Sequence, residues 1–387
     1  MQAEKFQIQI PEETLSDLNR RLKNTRWPDE LQNSGWDYGT NLLYLKTLVA
    51  YWQNKYDWRE HETRLNKHSQ FRATVNGVGV HFIHERGKGP NPLPIILTHG
   101  WPDSFLRFEK IIPMLTDPEA FGGDPADSFD VVVPSLPGYG FSDQLNDDGH
   151  IFKVNDLWAN LMTKVLGYER FAAHGGDFGG IITEQLARSH ASSLVGIHLT
   201  DIPFTHSFQV PDDLSLDEQK YLDDIKQWQM KAGAYNMIQS TRPQTLAAGL
   251  NDSPVGLAGW IVEKFQSMND CDGDIEKCFT KDELLTNIML YWVTGSIYSS
   301  FTPYYEIMNA GALTWIGEKV KEWTGSSKVP AGFALFPKDN THPPRKWAER
   351  FFNVQRWSPM ERGAHFTAME EPALLAEDLR GFFRPLR

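Results

Sequence analysis

The chain has 387 residues, enough for a large buried core in two or three domains or in one large domain with an insertion, and its 41% apolar and 23% charged fractions are those of a soluble globular protein. The balance of 38 Lys and Arg against 50 Asp and Glu gives a formal charge of −12, which repels phosphate backbones and argues against nucleic acid as a partner. Two cysteines, Cys271 and Cys278, can build neither a disulfide framework nor, unaided, a zinc site, and they fit a reducing cytoplasm.

The opening MQAEKFQIQIPEETL carries charge and alternation where a signal peptide would have an apolar run. No stretch of about 18 apolar residues follows, so no membrane span or anchor is expected. Pro11, Glu12 and Glu13 open a helix, with Leu15, Leu18 and Leu22 at helical spacing and Trp27-Pro28 as its end. Residues 36–66 read as further helical segments. The period then changes to two. Phe71–Val75 and Val78–Glu85 flank Asn76-Gly77, a hairpin turn in which both central residues need positive φ.

Beyond the hairpin, apolar runs at Leu93–Leu97, Asp130–Val133, Phe171–Ala173 and Leu194–Leu199 read as buried strands, with helices at Phe105–Leu115 and Asn155–Leu166. The alternation stops over residues 203–325, which read as helical and aromatic-rich, with loops at Asn251–Pro254 and Asn269–Asp274. It resumes with strands at Gly332–Phe336 and Phe352–Ser358 and closes with a helix near Pro372–Phe382. The expected architecture is α/β: a mostly parallel sheet with helices on both faces and an inserted helical cap. Four segments follow: residues 1–90 as a helical extension with the first hairpin, 91–202 as the first part of the core, 203–325 as the cap and 326–387 as the second part. The aromatic fraction of 12%, with 13 Trp, suggests a deep apolar pocket.

Four short motifs carry chemistry. His174-Gly175-Gly176-Asp177-Phe178-Gly179-Gly180 follows a strand and opens a helix. Gly175-x-Asp177-x-Gly179 has the form of a nucleophile elbow with Asp in place of Ser, its glycines making room in a strained turn. The plain alternative is a glycine-rich turn whose Asp caps a helix. Thr98-His99-Gly100-Trp101-Pro102 also follows a strand, where α/β-hydrolases place an oxyanion-hole amide. The N–H groups of Trp101 and Phe178 are the two expected donors. His99 and Pro102 are expected along the substrate pocket, His99 as a structural rather than a catalytic residue. Arg362-Gly363-Ala364-His365 places a histidine between the last strand and the last helix, the position of a general base. Ala334-Leu335-Phe336-Pro337-Lys338-Asp339 ends a strand, and Asp339 is the natural acid to orient His365. As the alternative, Asp339 caps the following turn and another acid is the partner. The chain order nucleophile, acid, histidine is that of α/β-hydrolases.

With these motifs in place, the sequence resembles the microsomal (juvenile-hormone and xenobiotic) type of epoxide hydrolase. The resemblance covers nearly the whole chain. It rests on FQIQIPEETLSDLNRRLKNTRWPDE, HGWPDSF, PSLPGYGFSD, HGGDFGG and RGAHFTAMEEP, and most specifically on the cap segments AYNMIQSTRPQTLAAGLNDSPVGLAGWIVEKF and DELLTNIMLYWVTGSI. It implies cofactor-free, metal-free hydrolysis of epoxides to vicinal diols on an α/β-hydrolase fold. It also implies that Tyr235 and Tyr304 hold the epoxide oxygen, with Tyr305 the neighbour that is confusable with Tyr304. Asp339 stands where family members also carry Glu, and Phe178 where Trp is frequent. The microsomal members carry a membrane anchor, which is not expected here.

The mechanism expected is attack by Asp177 to give an ester, then hydrolysis by water that His365 deprotonates. The substrate expected is a small apolar epoxide, an aryl one included. A homodimer is allowed by the sequence but not specified by it. A haloalkane or haloacid dehalogenase would share the Asp–His–acid logic but hold its halide with Trp or Asn N–H donors rather than phenols. A catalytically silent binding protein on the same fold is the remote reading, and intact Asp177, Asp339 and His365 argue against it.

Overall fold

The structure, a computed structural model, describes residues 2–29, 31, 33–145, 151–208, 210–309 and 327–387. The apolar runs meet in one nine-stranded sheet. Its strands are β1 (Glu4–Lys5), β2 (Gln70–Val75), β3 (Val78–Glu85), β4 (Leu93–Thr98), β5 (Phe129–Pro134), β6 (Phe171–Gly175), β7 (Leu194–Leu199), β8 (Pro330–Leu335) and β9 (Asn353–Pro359), in the order β1-β2-β3-β5-β4-β6-β7-β8-β9. From β5 to β9 all pairs are parallel, whereas the first three strands join antiparallel, β3 onto β5. Every residue of β5 and of β7 is buried, as strands covered on both faces require. The expected hairpin is present, with φ of 49° at Asn76 and 84° at Gly77. It is part of the main sheet rather than of a separate extension.

Helices α1 (Glu12–Lys23), α2 (Leu42–Asn54) and α3 (Trp58–Leu65) form the N-terminal region. In α1 the leucines at 15, 18 and 22 are buried, and Glu12 and Glu13 lie in the first turn. The helix stops at Lys23, short of Trp27-Pro28. The helix expected over Phe105–Leu115 is broken into a 3-10 turn, Phe105–Phe108, and α4 (Ile112–Thr116). Pro113 is the reason: it has no N–H for a bond to the preceding turn and its ring crowds that turn, so it favours the first turn of a new helix, where it stands in α4. The helix expected over Asn155–Leu166 is α5 (Val154–Asn160) with a π-helical turn, Leu161–Val165, behind it.

After α6 (Phe178–Ser189) and β7, the chain runs through α7 (Leu216–Lys231), α8 (Ala234–Thr241), α9 (Pro243–Asp252), α10 (Pro254–Ser267), α11 (Lys281–Thr294) and α12 (Ile297–Asn309) before it re-enters the sheet. These are the helices expected for the cap; residues 209 and 310–325 of that segment lie outside the described residues. α1 and α2 pack on α10, and α2 also on α11. Arg21 donates to Asp252, and the Tyr51 hydroxyl to Asp282. The N-terminal helices therefore brace the inserted ones.

Residues that follow the carboxyl ends of β4, β6, β7, β8 and β9 converge on one site, as the parallel sheet dictates. The tightest point is the turn after β6. A Cβ on Gly175 would overlap the backbone of Gly179, and one on Gly179 would overlap the carbonyl of Thr98. Backbone atoms on both sides cannot give way. Gly179→Ala should therefore destabilise by at least the ~1–3 kcal/mol typical of overpacking and abolish activity. Chemical unfolding checks this, and wild-type stability in the variant would count against such close packing.

Candidate active site

Asp177 occupies the elbow with φ 55° and ψ −130°, a conformation that L-residues avoid and that the surrounding packing imposes. Its Oδ1 accepts the Trp101 N–H at 3.0 Å and the Phe178 N–H at 2.7 Å. The two expected oxyanion donors thus converge on one carboxylate oxygen. Oδ2 is left facing His365, whose Nε2 is 3.6 Å away, an ion-pair separation rather than a hydrogen bond. On its other side His365 Nδ1 is 3.0 Å from Asp339 Oδ1. That same oxygen accepts the Asn340 N–H at 2.7 Å. Asp339 therefore caps its turn and also stands against the imidazole, so its capping contact does not leave that place to another acid.

The loop that carries His365 is held from several sides. Its N–H donates to the Met268 carbonyl, and the buried guanidinium of Arg107 donates to its carbonyl at 2.6 Å. Arg107 is itself paired with buried Asp103. The Gly363 N–H donates to Asp270 Oδ2, while Glu370 accepts the N–H groups of Phe366 and Asp270 at 3.0 Å each.

Tyr235 and Tyr304 are 7% and 4% exposed, with ring centres 6.2 Å apart. Trp101 stacks on Tyr235 at 5.4 Å and meets Tyr304 edge-on at 5.8 Å, and Phe178 packs on Tyr304 at 4.8 Å. The residues that supply the two amides thus also fix the two phenols. Tyr305 is 45% exposed and points elsewhere. A cavity of about 90 Å³ is bordered by Asp177, Asp339 and His365 on the sheet side and by Tyr235, Tyr304 and Trp228 on the other.

Two expectations for the cavity wall are corrected. His99 is fully buried, with Nδ1 donating to the Gly100 carbonyl and Nε2 accepting the Leu136 N–H. Both ring nitrogens are used to join two loops, so none remains for substrate. Pro102 is buried as well, its carbonyl accepting Asn287 Nδ2 at 2.8 Å. Neither residue lines the cavity.

The sequence reading missed Asp201, two residues after β7. Its Oδ2 accepts the Asp177 N–H at 3.0 Å, and it borders the cavity. Burial of its carboxyl, with Asp339 nearby, pushes its pKa up to about 7. Burial raises Glu370 to about 7 as well. The only signal for Asp201 was its place at the end of a strand; nothing local marked Glu370.

Burial would lower the His365 pKa, but the Asp339 and Asp177 carboxylates raise it well above the ordinary histidine value. A folded pKa above the unfolded one means that folding takes up a proton. The stabilisation is whole below about pH 6.5 and is lost as pH rises through the folded value. The stability gap between wild type and His365→Gln should therefore shrink as pH climbs above about 6.5. Thermal melts of both proteins across that range test this; a gap that widens would reverse the sign.

Residues 3–108 match the family described as epoxide hydrolase N terminus, and residues 94–238 match the alpha/beta hydrolase fold. The sheet and its elbow define an α/β hydrolase with a carboxylate, Asp177, at the elbow. The chain belongs to the epoxide hydrolase family. It is 37% identical to Epoxide hydrolase 1 of Sus scrofa over 403 aligned positions, covering 97% of this chain and 87% of the relative. The crystal structure of juvenile hormone epoxide hydrolase from Bombyx mori superposes with a TM-score of 0.88 at 27% identity, covering 100% of this chain and 95% of the other. Aspergillus niger epoxide hydrolase does so at 0.84 and 27%, covering 100% and 97%. Among the described residues, no helix is long and apolar enough to cross a membrane.

Proposed function

We propose that this chain hydrolyses apolar epoxides to vicinal diols through an ester on Asp177. The observation that carries this reading is the division of labour between the two oxygens of Asp177. Oδ1 is held by two backbone N–H groups, while Oδ2 faces the cavity and its phenols. Attack by Oδ2 on an epoxide carbon breaks the ring C–O bond, and Tyr235 and Tyr304 stabilise the oxygen as it takes up negative charge. Oδ1 then becomes the ester carbonyl oxygen, already seated where an oxyanion would be stabilised.

Esterification also removes the charge of Asp177. One of the two carboxylates that hold a proton on His365 is then gone, so the imidazole becomes a freer base when water must be deprotonated. Water adds to the ester carbonyl, the diol leaves, and Asp177 is restored. Ile225, Trp228 and Phe204 along the cavity favour an apolar substrate, aryl epoxides included. Phenols in place of N–H donors disfavour a halide leaving group.

A single turnover in oxygen-labelled water tests the reading. The first diol should carry an unlabelled oxygen from Asp177, with label entering the protein. Label in that first diol and none in the protein would mean that water attacks the epoxide directly. Chloride release from haloalkanes, without diol formation, would move the assignment to a dehalogenase.

A further inference from the structure

Lysine is rarely buried, because its ammonium usually reaches water at the end of its stem. Lys264 on α10 is 7% exposed, in ion contact with Glu263, and its Nζ stands over the Tyr235 ring, 4.5 Å from the centre. It is 5.8 Å from the ring of Trp260. The Tyr235 ring is itself fixed by Trp101 and Trp228. Besides Lys264, the charged and titratable groups acting on Tyr235 are Asp177, Glu263 and the Tyr304 hydroxyl. Burial and both carboxylates hold the phenol proton on, and Tyr304 opposes them. Tyr304 is likewise held protonated by burial and by its neighbours, and among the described residues no cation stands over its ring. The two phenols of the pair are thus unlike.

We propose that Lys264 is a positioning residue that makes Tyr235 the phenol whose proton passes to the opening epoxide, while Tyr304 remains a hydrogen-bond donor. This rests on the ester mechanism above. As Asp177 Oδ2 bonds to carbon, the ring C–O bond breaks and its electron pair goes to oxygen. That oxygen takes the Tyr235 proton, and the phenolate charge spreads into the ring beneath the ammonium. Water then adds to the ester, giving its proton to His365. The departing alkoxide takes that proton, and the acid proton left on Asp177 returns to Tyr235. An ammonium over the ring favours the phenolate-like transition state more than the neutral phenol, so Lys264 acts on rate rather than on substrate binding.

The test uses the full chain and single-turnover alkylation of Asp177, followed by intact mass and rapid kinetics. Lys264→Met keeps the stem and removes the charge; alkylation should slow about five- to thirtyfold while ester hydrolysis is unchanged. Lys264→Arg should recover to within about threefold of wild type, because a guanidinium also stands well over an aromatic ring. Placing 3-fluorotyrosine, a more acidic phenol, at position 235 should restore most of the rate lost in Lys264→Met; at position 304 it should not. A wild-type alkylation rate in Lys264→Met overturns the proposal. So does a loss that fluorotyrosine at 235 leaves unchanged, which would mark a packing role. If wild type itself accumulates no ester mass, the ester reading fails and takes this inference with it, an outcome distinct from either.

Discussion

His365→Gln is expected to accumulate the ester and release almost no diol. In the proposed mechanism alkylation uses Asp177 Oδ2 and the phenols, and needs no base. Hydrolysis does need one, because water at neutral pH is a poor nucleophile toward an ester. Among the described residues the imidazole that faces the Asp177 carboxylate is His365, 3.6 Å from Oδ2. Removing a general base costs about 10²–10⁴ in rate. Glutamine can still hydrogen-bond to Asp339 but cannot accept a proton at working pH. Intact mass should rise by one substrate mass and stay there, while the quenching or release signal of the first step is nearly unchanged. Asp339→Asn should slow the same step less. The imidazole remains in that variant, and the Asn340 N–H, which donates to Asp339 at 2.7 Å, still finds an amide oxygen. Normal turnover in His365→Gln would remove this residue from the mechanism.

What could be read from the sequence was whatever depends on a few neighbouring residues. The elbow is local: Gly175 and Gly179 are there because backbone passes where a Cβ would stand, and Asp177 between them could therefore be singled out. The strands were legible because burial on both faces leaves continuous apolar runs, as in β5 and β7. The order of Asp177, Asp339 and His365 followed from strand order. The tyrosines are different. Nothing in the spacing of Tyr235 and Tyr304 sets them together, and they came from resemblance in the cap segments. Residues that act across the fold were not legible. Arg107 reaches the carbonyl of a residue 258 positions away, Asp201 meets Asp177 only because β6 and β7 are neighbours, and Lys264 meets Tyr235 only when α10 lies beside α8. His99 and Pro102 were misplaced for a related reason. Both stand close to Trp101 in the chain, but only the folded loops show that their polar atoms turn inward to Leu136 and Asn287.

The phenol pair should show the largest effect on the first step. Tyr235→Phe and Tyr304→Phe each remove one hydroxyl and almost no volume, so the stacking on Trp101 and Phe178 should survive and melting should change little. On the proposed mechanism each hydroxyl contacts the oxygen that gains charge as the ring opens, so its bond strengthens toward the transition state and its loss should appear in the alkylation rate rather than in binding. A charge-assisted hydrogen bond contributes about 1.5–3 kcal/mol, or roughly ten- to hundredfold per variant. If Tyr235 is the proton donor, Tyr235→Phe should lie at the slow end of that range and Tyr304→Phe at the fast end. The double variant loses both donors, and the alkoxide then forms in a cavity of about 90 Å³, where little water can stabilise it. Its alkylation should fall by about 10²–10⁴. Hydrolysis of an ester already formed should be nearly untouched, because its oxyanion rests on the Trp101 and Phe178 N–H groups, which neither substitution moves. Tryptophan fluorescence in a stopped-flow instrument resolves the two steps, since Trp101 borders both rings and Trp228 borders that of Tyr235. A double variant that alkylates at the wild-type rate would show that these phenols do not hold the leaving oxygen, and the dehalogenase reading would gain what the epoxide reading lost.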